Sequence, residues 1–112
     1  MAESGDIYKV TIYYEGTFGP YKPRPVLILN SNDEGNYTIA EITSIPPKNP
    51  PGYYDSFKEE IVDWEEYGLD KPSYVKCKNI YNVEGLRLHQ KIGTMKDTVE
   101  FERIIDKIDE SN

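Results

Sequence analysis

The apolar pattern of this chain changes period once, near its end. In the segment DTVEFERIIDKI, Phe101, Ile104, Ile105 and Ile108 recur at i, i+3, i+4 and i+7, which is one face of a helix. Ahead of it the apolar residues fall into short β-branched and aromatic runs, each cut off by glycine, proline or asparagine. Such a chain is predicted to be α+β: several short strands forming a small curled β-barrel, followed by one amphipathic helix that covers the sheet.

Individual runs place the elements. IYKVTIYY, Ile7 to Tyr14, puts Tyr8, Val10, Ile12 and Tyr14 on one face of a strand. EGTFGPYKP follows as a loop. VLIL, Val26 to Leu29, is continuously apolar, as a strand buried on both faces would be. NSNDEGN is turn chemistry, and YTIAEITS, Tyr37 to Ser44, is a third strand. IPPKNPPG carries four prolines in eight residues and is predicted to be a surface loop. A weaker strand is expected around Ile61 to Trp64, a turn at YGLDKPS, and a strand within YVKCKNIYNV. Asp97 and Glu100 have the spacing of a capping box at the start of the helix. At 112 residues, without repeat or linker, the chain reads as one domain over 1–112.

Composition narrows the class. Ten tyrosines against three phenylalanines suit a half-buried sheet with a wet outer edge. The single Cys77 excludes an internal disulfide and fits a reducing compartment. No signal-peptide pattern opens the sequence, and no apolar run nears the roughly 20 residues a bilayer requires. A soluble, cytoplasmic protein is expected, away from membranes. Twenty acidic against thirteen basic residues give −7, which argues against a general nucleic-acid binder. The acids are clustered, however. FKEEIVDWEEYGLD holds six, and the segment from Asp97 holds six more, so Lys22, Arg24, Lys48, Lys76, Lys78, Arg87 and Lys91 remain able to gather on one face.

Chemistry-bearing constellations are few. One cysteine and one histidine make no zinc cluster, SNDEGN is not a calcium loop, and no phosphate-cradling glycine loop is present. No metal or cofactor is expected, and His89, in the polar RLHQKIG, reads as a solvated side chain. Pro23 and Pro25 bracket Arg24 at the mouth of the VLIL strand, because proline cannot donate to a ladder. Arg24 is then either a surface arginine at a strand start or a guanidinium held at an anion site. Thr43 and Ser44 end the third strand; they either close it in a turn or donate hydrogen bonds to a phosphodiester that Arg24 takes in a fork.

The order of segments decides between these readings. GDIYKVTI, a glycine-rich loop, KPRPVLIL, IAEITS, YGLDKPSYV and GLRLHQKIGTMKD ahead of a terminal helix resemble, over roughly Gly5 to Ile108, the MazF/PemK family of toxin ribonucleases. The resemblance implies an SH3-like, PemK-type barrel that forms a homodimer. It implies metal-independent, sequence-specific cleavage of single-stranded RNA by 2′-hydroxyl attack, and inhibition by a cognate antitoxin peptide of MazE type. Arg24 matches the loop arginine that stabilises the phosphorane, and Thr43 the strand-end hydroxyl that orients the phosphate. Lys22, Ser44, Lys76, Lys78 and Tyr81 are the expected RNA contacts. Three positions depart from the pattern. Tyr81 stands where many members carry arginine, Lys78 where some carry an acid, and Glu41 where a small residue or proline is usual. Glu41 is therefore a candidate replacement base for the 2′-hydroxyl, or else a partner of Lys76 or Lys78 on the neighbouring strand. A non-catalytic member of the fold, gripping a protein as the related gyrase poisons do or binding RNA without cutting it, is the alternative.

Overall fold

In a computed structural model, which describes residues 2–10, 23–32, 34–85 and 88–112, six strands form one antiparallel sheet. In chain order they are β1 (Asp6–Val10), β2 (Arg24–Ser31), β3 (Asn36–Thr43), β4 (Lys58–Ile61), β5 (Ser73–Glu84) and β6 (Leu88–Thr94). A single 3-10 turn, Tyr54–Phe57, precedes β4, and helix α1 spans Val99–Ser111. Across the sheet the order is β4-β5-β3-β2-β1-β6. The expected curled sheet with a terminal helix is the fold observed.

Burial follows the sequence pattern closely in the middle of the sheet. Val26, Leu27 and Ile28 are all fully buried, because β2 lies between β1 and β3 and has apolar layers on both faces. Leu27 joins Ile7, Ala40, Ile42, Val75, Ile104 and Ile108 in a cluster closed by the helix. Val26 and Ile28 join Val10 and Ile39 on the other face, with Tyr8, Tyr37 and Tyr81 packed around them. Strand β1 stops at Val10 among the described residues; the expected continuation to Tyr14 and the EGTFGPYKP loop up to Lys22 lie outside them. The proline-rich segment 45–52 forms no strand, as its lost N–H donors require.

Three local expectations are corrected. The helix is capped by Thr98, whose Oγ1 accepts from Phe101 N at 3.0 Å, and not by Asp97, which takes a left-handed φ of 62°. Glu100, freed from the capping box, reaches the segment just after β4 instead: its carboxylate accepts from Val62 N, from Asp63 N at 3.3 Å and from the Tyr67 hydroxyl at 2.9 Å. That explains the second correction. The strand expected at Ile61 to Trp64 ends at Ile61, because the donors of Val62 and Asp63 go to Glu100 and not to a ladder. The third is β6. LHQKIGT has no apolar alternation, yet it pairs with β1 along the sheet edge.

The sheet curls because its two ends meet. Residues 62–72, between β4 and β5, press on β6 so closely that a Cβ on Gly93 would overlap the Tyr67 carbonyl. Gly68, at φ 83°, faces the Ile92 carbonyl with equally little room. Only glycine allows both approaches.

Candidate functional site

Arg24 opens β2 directly opposite Val10, and Lys9 stands opposite Pro25 and Gln90 on the two neighbouring strands. The bracketing prolines keep Arg24 at the sheet rim, where its side chain is exposed. Among the described residues its guanidinium, which carries five donors, has no hydrogen bond or ion pair. Thr43 ends β3, the strand paired directly with β2, and is buried. Its Oγ1 accepts from Ile45 N at 3.1 Å, a turn contact that leaves the hydroxyl proton for another acceptor.

These groups meet. One cavity of about 690 Å³ is lined by Arg24, Thr43 and Ser44 together with Lys9, Asp70, Lys71 and Lys91. Four cationic side chains line it with the one carboxylate of Asp70, and Lys91 is also paired with buried Asp6 at 3.6 Å, which leaves a local positive excess on a chain whose net charge is −7. The wall carrying Asp70 and Lys71 comes from the segment pressed against β6, and Glu100 fastens that segment from behind. Sequence reading had placed Lys91 among the basic residues able to gather, but missed Lys9, Lys71 and Asp70. They are brought in by the curl of the sheet, which no local pattern announces.

The other predicted residues lie elsewhere. Glu41 does not line this cavity: it is 2% exposed and sits 3.9 Å from Lys76 Nζ, with Asn79 Nδ2 donating to it at 3.3 Å. Lys76 and Lys78 line a second cavity, of about 400 Å³, with Asp55, Phe57, Lys58 and Asn79. Tyr81 packs against the outer apolar cluster beside Val26 and Ile39. Lys22 lies outside the described residues. His89 is exposed on β6. Among the described residues, no three histidine, cysteine, aspartate or glutamate side chains gather as a metal site, and no helix is long and apolar enough to cross a membrane.

Three titrations mark how the surroundings are tied down. Hydrogen bonds from Gly52 N, Lys58 and Lys48 N hold the Asp55 carboxyl down at about 2, so it is the ionised anchor of the proline-rich loop. Burial, and then the bond to Glu100, push Tyr67 up to about 12. Burial raises the Cys77 thiol to about 11, which makes it an inert core residue.

An antiparallel curled sheet with a terminal helix, bearing a rim arginine and a strand-end threonine in one basic cavity, is the architecture of a small toxin fold. The family model for the PemK-like, MazF-like toxins of type II toxin–antitoxin systems matches residues 3–111, and the chain belongs to that family. No curated protein matches it in sequence. Among solved structures it is similar to the Mycobacterium tuberculosis toxin MazF-mt6, at 21% identity and TM-score 0.67 over 95% of this chain and 94% of that one. It is similar to an endoribonuclease in complex with its cognate antitoxin from a mycobacterial species, at 16% identity and TM-score 0.60 over 98% and 87%. It is similar to MazE-MazF from Deinococcus radiodurans, at 13% identity and TM-score 0.68 over 97% and 93%. At these identities the likeness is one of fold.

Proposed function

We propose that this toxin is an endoribonuclease that cuts single-stranded RNA at short sequences, without a metal, by attack of the 2′-hydroxyl on its own phosphate. The observation that carries the reading is the cavity in which Arg24, Thr43 and Ser44 converge with three lysines. In-line attack forms the 2′-O–P bond, breaks the P–O5′ bond, and leaves a 2′,3′-cyclic phosphate and a 5′-hydroxyl. Arg24 takes two phosphorane oxygens in a bidentate fork, and Thr43 donates a third hydrogen bond. Asp70 is the carboxylate among the lining residues and takes the 2′-hydroxyl proton; the departing 5′-oxygen takes a proton from water, and Asp70 returns its own to solvent. Glu41, tied to Lys76 and Asn79, is assigned a structural part instead. RNA suits the cavity because only RNA carries the nucleophile.

Kinship supports two further parts of the reading: a homodimer, and a cognate antitoxin peptide that covers the basic cavity. Of the structures named above, one is a MazE-MazF complex and one an endoribonuclease with its cognate antitoxin. The experiment is incubation of purified protein with mixed-sequence single-stranded RNA in EDTA, followed by end mapping. Cleavage with 2′,3′-cyclic or 3′-phosphate ends is expected, and Arg24→Ala should lower it by about 10²–10³-fold, the loss typical of one oxyanion donor. The competing reading is a non-catalytic toxin that grips a protein partner, and the −7 net charge favours it. Full growth arrest by Arg24→Ala in bacteria would establish that reading.

A further inference from the structure

The pairing of β3 with β5 contains a large irregularity. Ala40 faces Ile80 while the next residue, Glu41, faces Lys76, so Cys77, Lys78 and Asn79 have no opposite number on β3. An insertion of this size bends the strand and re-aims its side chains, and such bulges concentrate beside functional sites. Here it delivers Lys76, Lys78 and Asn79 into the second cavity, together with Phe57 from the 3-10 turn. Lys78 Nζ lies 4.8 Å from the Phe57 ring centroid and donates to Ser111 O at 3.1 Å. The Asn79 amide uses its nitrogen on Glu41 and Tyr81, leaving its Oδ1 to accept. Asp55 is held by Lys58 at 3.0 Å and Glu41 by Lys76 at 3.9 Å, so the excess positive charge of the lining is that of Lys78, beside an aromatic ring and an amide.

The two cavities share a rim. Ile45 lines the first, Lys58 lines the second, and Lys58 Nζ donates to Ile45 O at 3.2 Å. A chain of phosphates crossing Ile45 passes directly from one to the other. We infer that the second cavity is a nucleotide subsite for the residue next to the scissile phosphodiester, with its base on Phe57 and its phosphate on Lys76 and Lys78. The inference rests on the RNA reading above and adds to it a second binding pocket. Its volume of about 400 Å³ falls within the roughly 300–1,000 Å³ usual for ligand pockets. Asn79 Oδ1 faces the base edge and favours one that presents an exocyclic amine. Lys78 leaves the ring for the phosphate when the base takes its face.

The test is fluorescence anisotropy with a non-cleavable 2′-O-methyl hexanucleotide, together with cleavage kinetics on the matching RNA. Phe57→Leu keeps the apolar bulk and removes the stacking face. It should weaken hexanucleotide binding about tenfold, a mid-range value for one base–aromatic stack, with the loss falling on KM rather than kcat. Phe57→Trp should restore affinity. Lys78→Gln, which can still donate to Ser111 O, should lower the salt slope of log Kd by about 0.7, the share of one single-strand phosphate. Parental affinity in Phe57→Leu overturns the subsite, and so does failure of Phe57→Trp to restore binding. If the parent cleaves RNA while both Phe57 variants match it, the subsite alone falls. If the parent does not bind the hexanucleotide at low salt, the RNA reading falls with it. Tight binding of an acidic peptide with no affinity for RNA would assign the cavity to a protein partner.

Discussion

Replacing Glu100 by alanine tests how the cavity wall is held in place. The carboxylate is 9% exposed and receives Val62 N, Asp63 N and the Tyr67 hydroxyl, with Arg103 alongside. Tyr67 is itself only 4% exposed, so its orphaned hydroxyl would cost about 1–3 kcal/mol. The two backbone donors lie in exposed positions and would be rehydrated, each losing about 0.5–1.5 kcal/mol net. Together the loss is about 4 kcal/mol at the middle of these ranges, which at roughly 4 °C per kcal/mol lowers Tm by about 16 °C. The freed segment continues into the cavity-lining Gly68, Leu69, Asp70 and Lys71. Below the melting transition, kcat for RNA should therefore fall as well as KM rise, because the segment carries both the proposed base Asp70 and the cation Lys71. Calorimetry and cleavage kinetics on Glu100→Ala and Glu100→Gln measure both effects. Glutamine retains an acceptor and should lose about half as much. A Glu100→Ala protein that melts within 2 °C of the parent would refute the reasoning that this carboxylate fastens the turn.

Two further outcomes follow from the same geometry. Gly93→Ala places a Cβ on the Tyr67 carbonyl; the forced separation of β6 from the 62–72 segment should cost about 1–3 kcal/mol or more in thermal or denaturant unfolding, and weaken RNA cleavage along with it. Asp55 has its folded pKa depressed from 3.8 to about 2, so its contribution is complete above pH 3.8 and is lost as pH falls through 2. Asp55→Asn should flatten that acid limb of the stability profile and, at neutral pH, speed proteolysis within residues 45–54; an unchanged profile would remove the anchor role.

Much of the fold was legible because its signals are local. Apolar spacing of 3.6 residues marked the helix, and its face is the one buried: Ile104 and Ile108 in the core, with Phe101 packed against it. The continuous VLIL run marked a strand with two covered faces, and the prolines around Arg24 placed it at the mouth of that strand. Strand β6 was not legible, because an edge strand paired on one side and largely exposed needs no apolar alternation. Thr98 displaced Asp97 as the cap by a single residue, a difference that depends on where the backbone turns into the helix.

Glu41 shows the boundary most clearly. Alternation along β3 put it on the same face as Thr43, but the three-residue insertion in β5 draws Lys76 and Asn79 onto it and away from the cavity. Lys9 and Lys91 come beside Arg24 through the pairing of β1 with β2 and β6, and Asp70 and Lys71 because the segment after β4 packs onto β6 at Gly68 and Gly93. What the chain by itself determined is therefore every feature set by neighbours a few positions apart: period, breakers, the stiff mouth around Arg24 and the family pattern. What tertiary structure alone decided is which charged side chains line the cavity with Arg24 and Thr43. That depends on contacts between residues far apart in the chain, such as Lys9 with Gln90, 81 positions on, and they exist only once the sheet has formed.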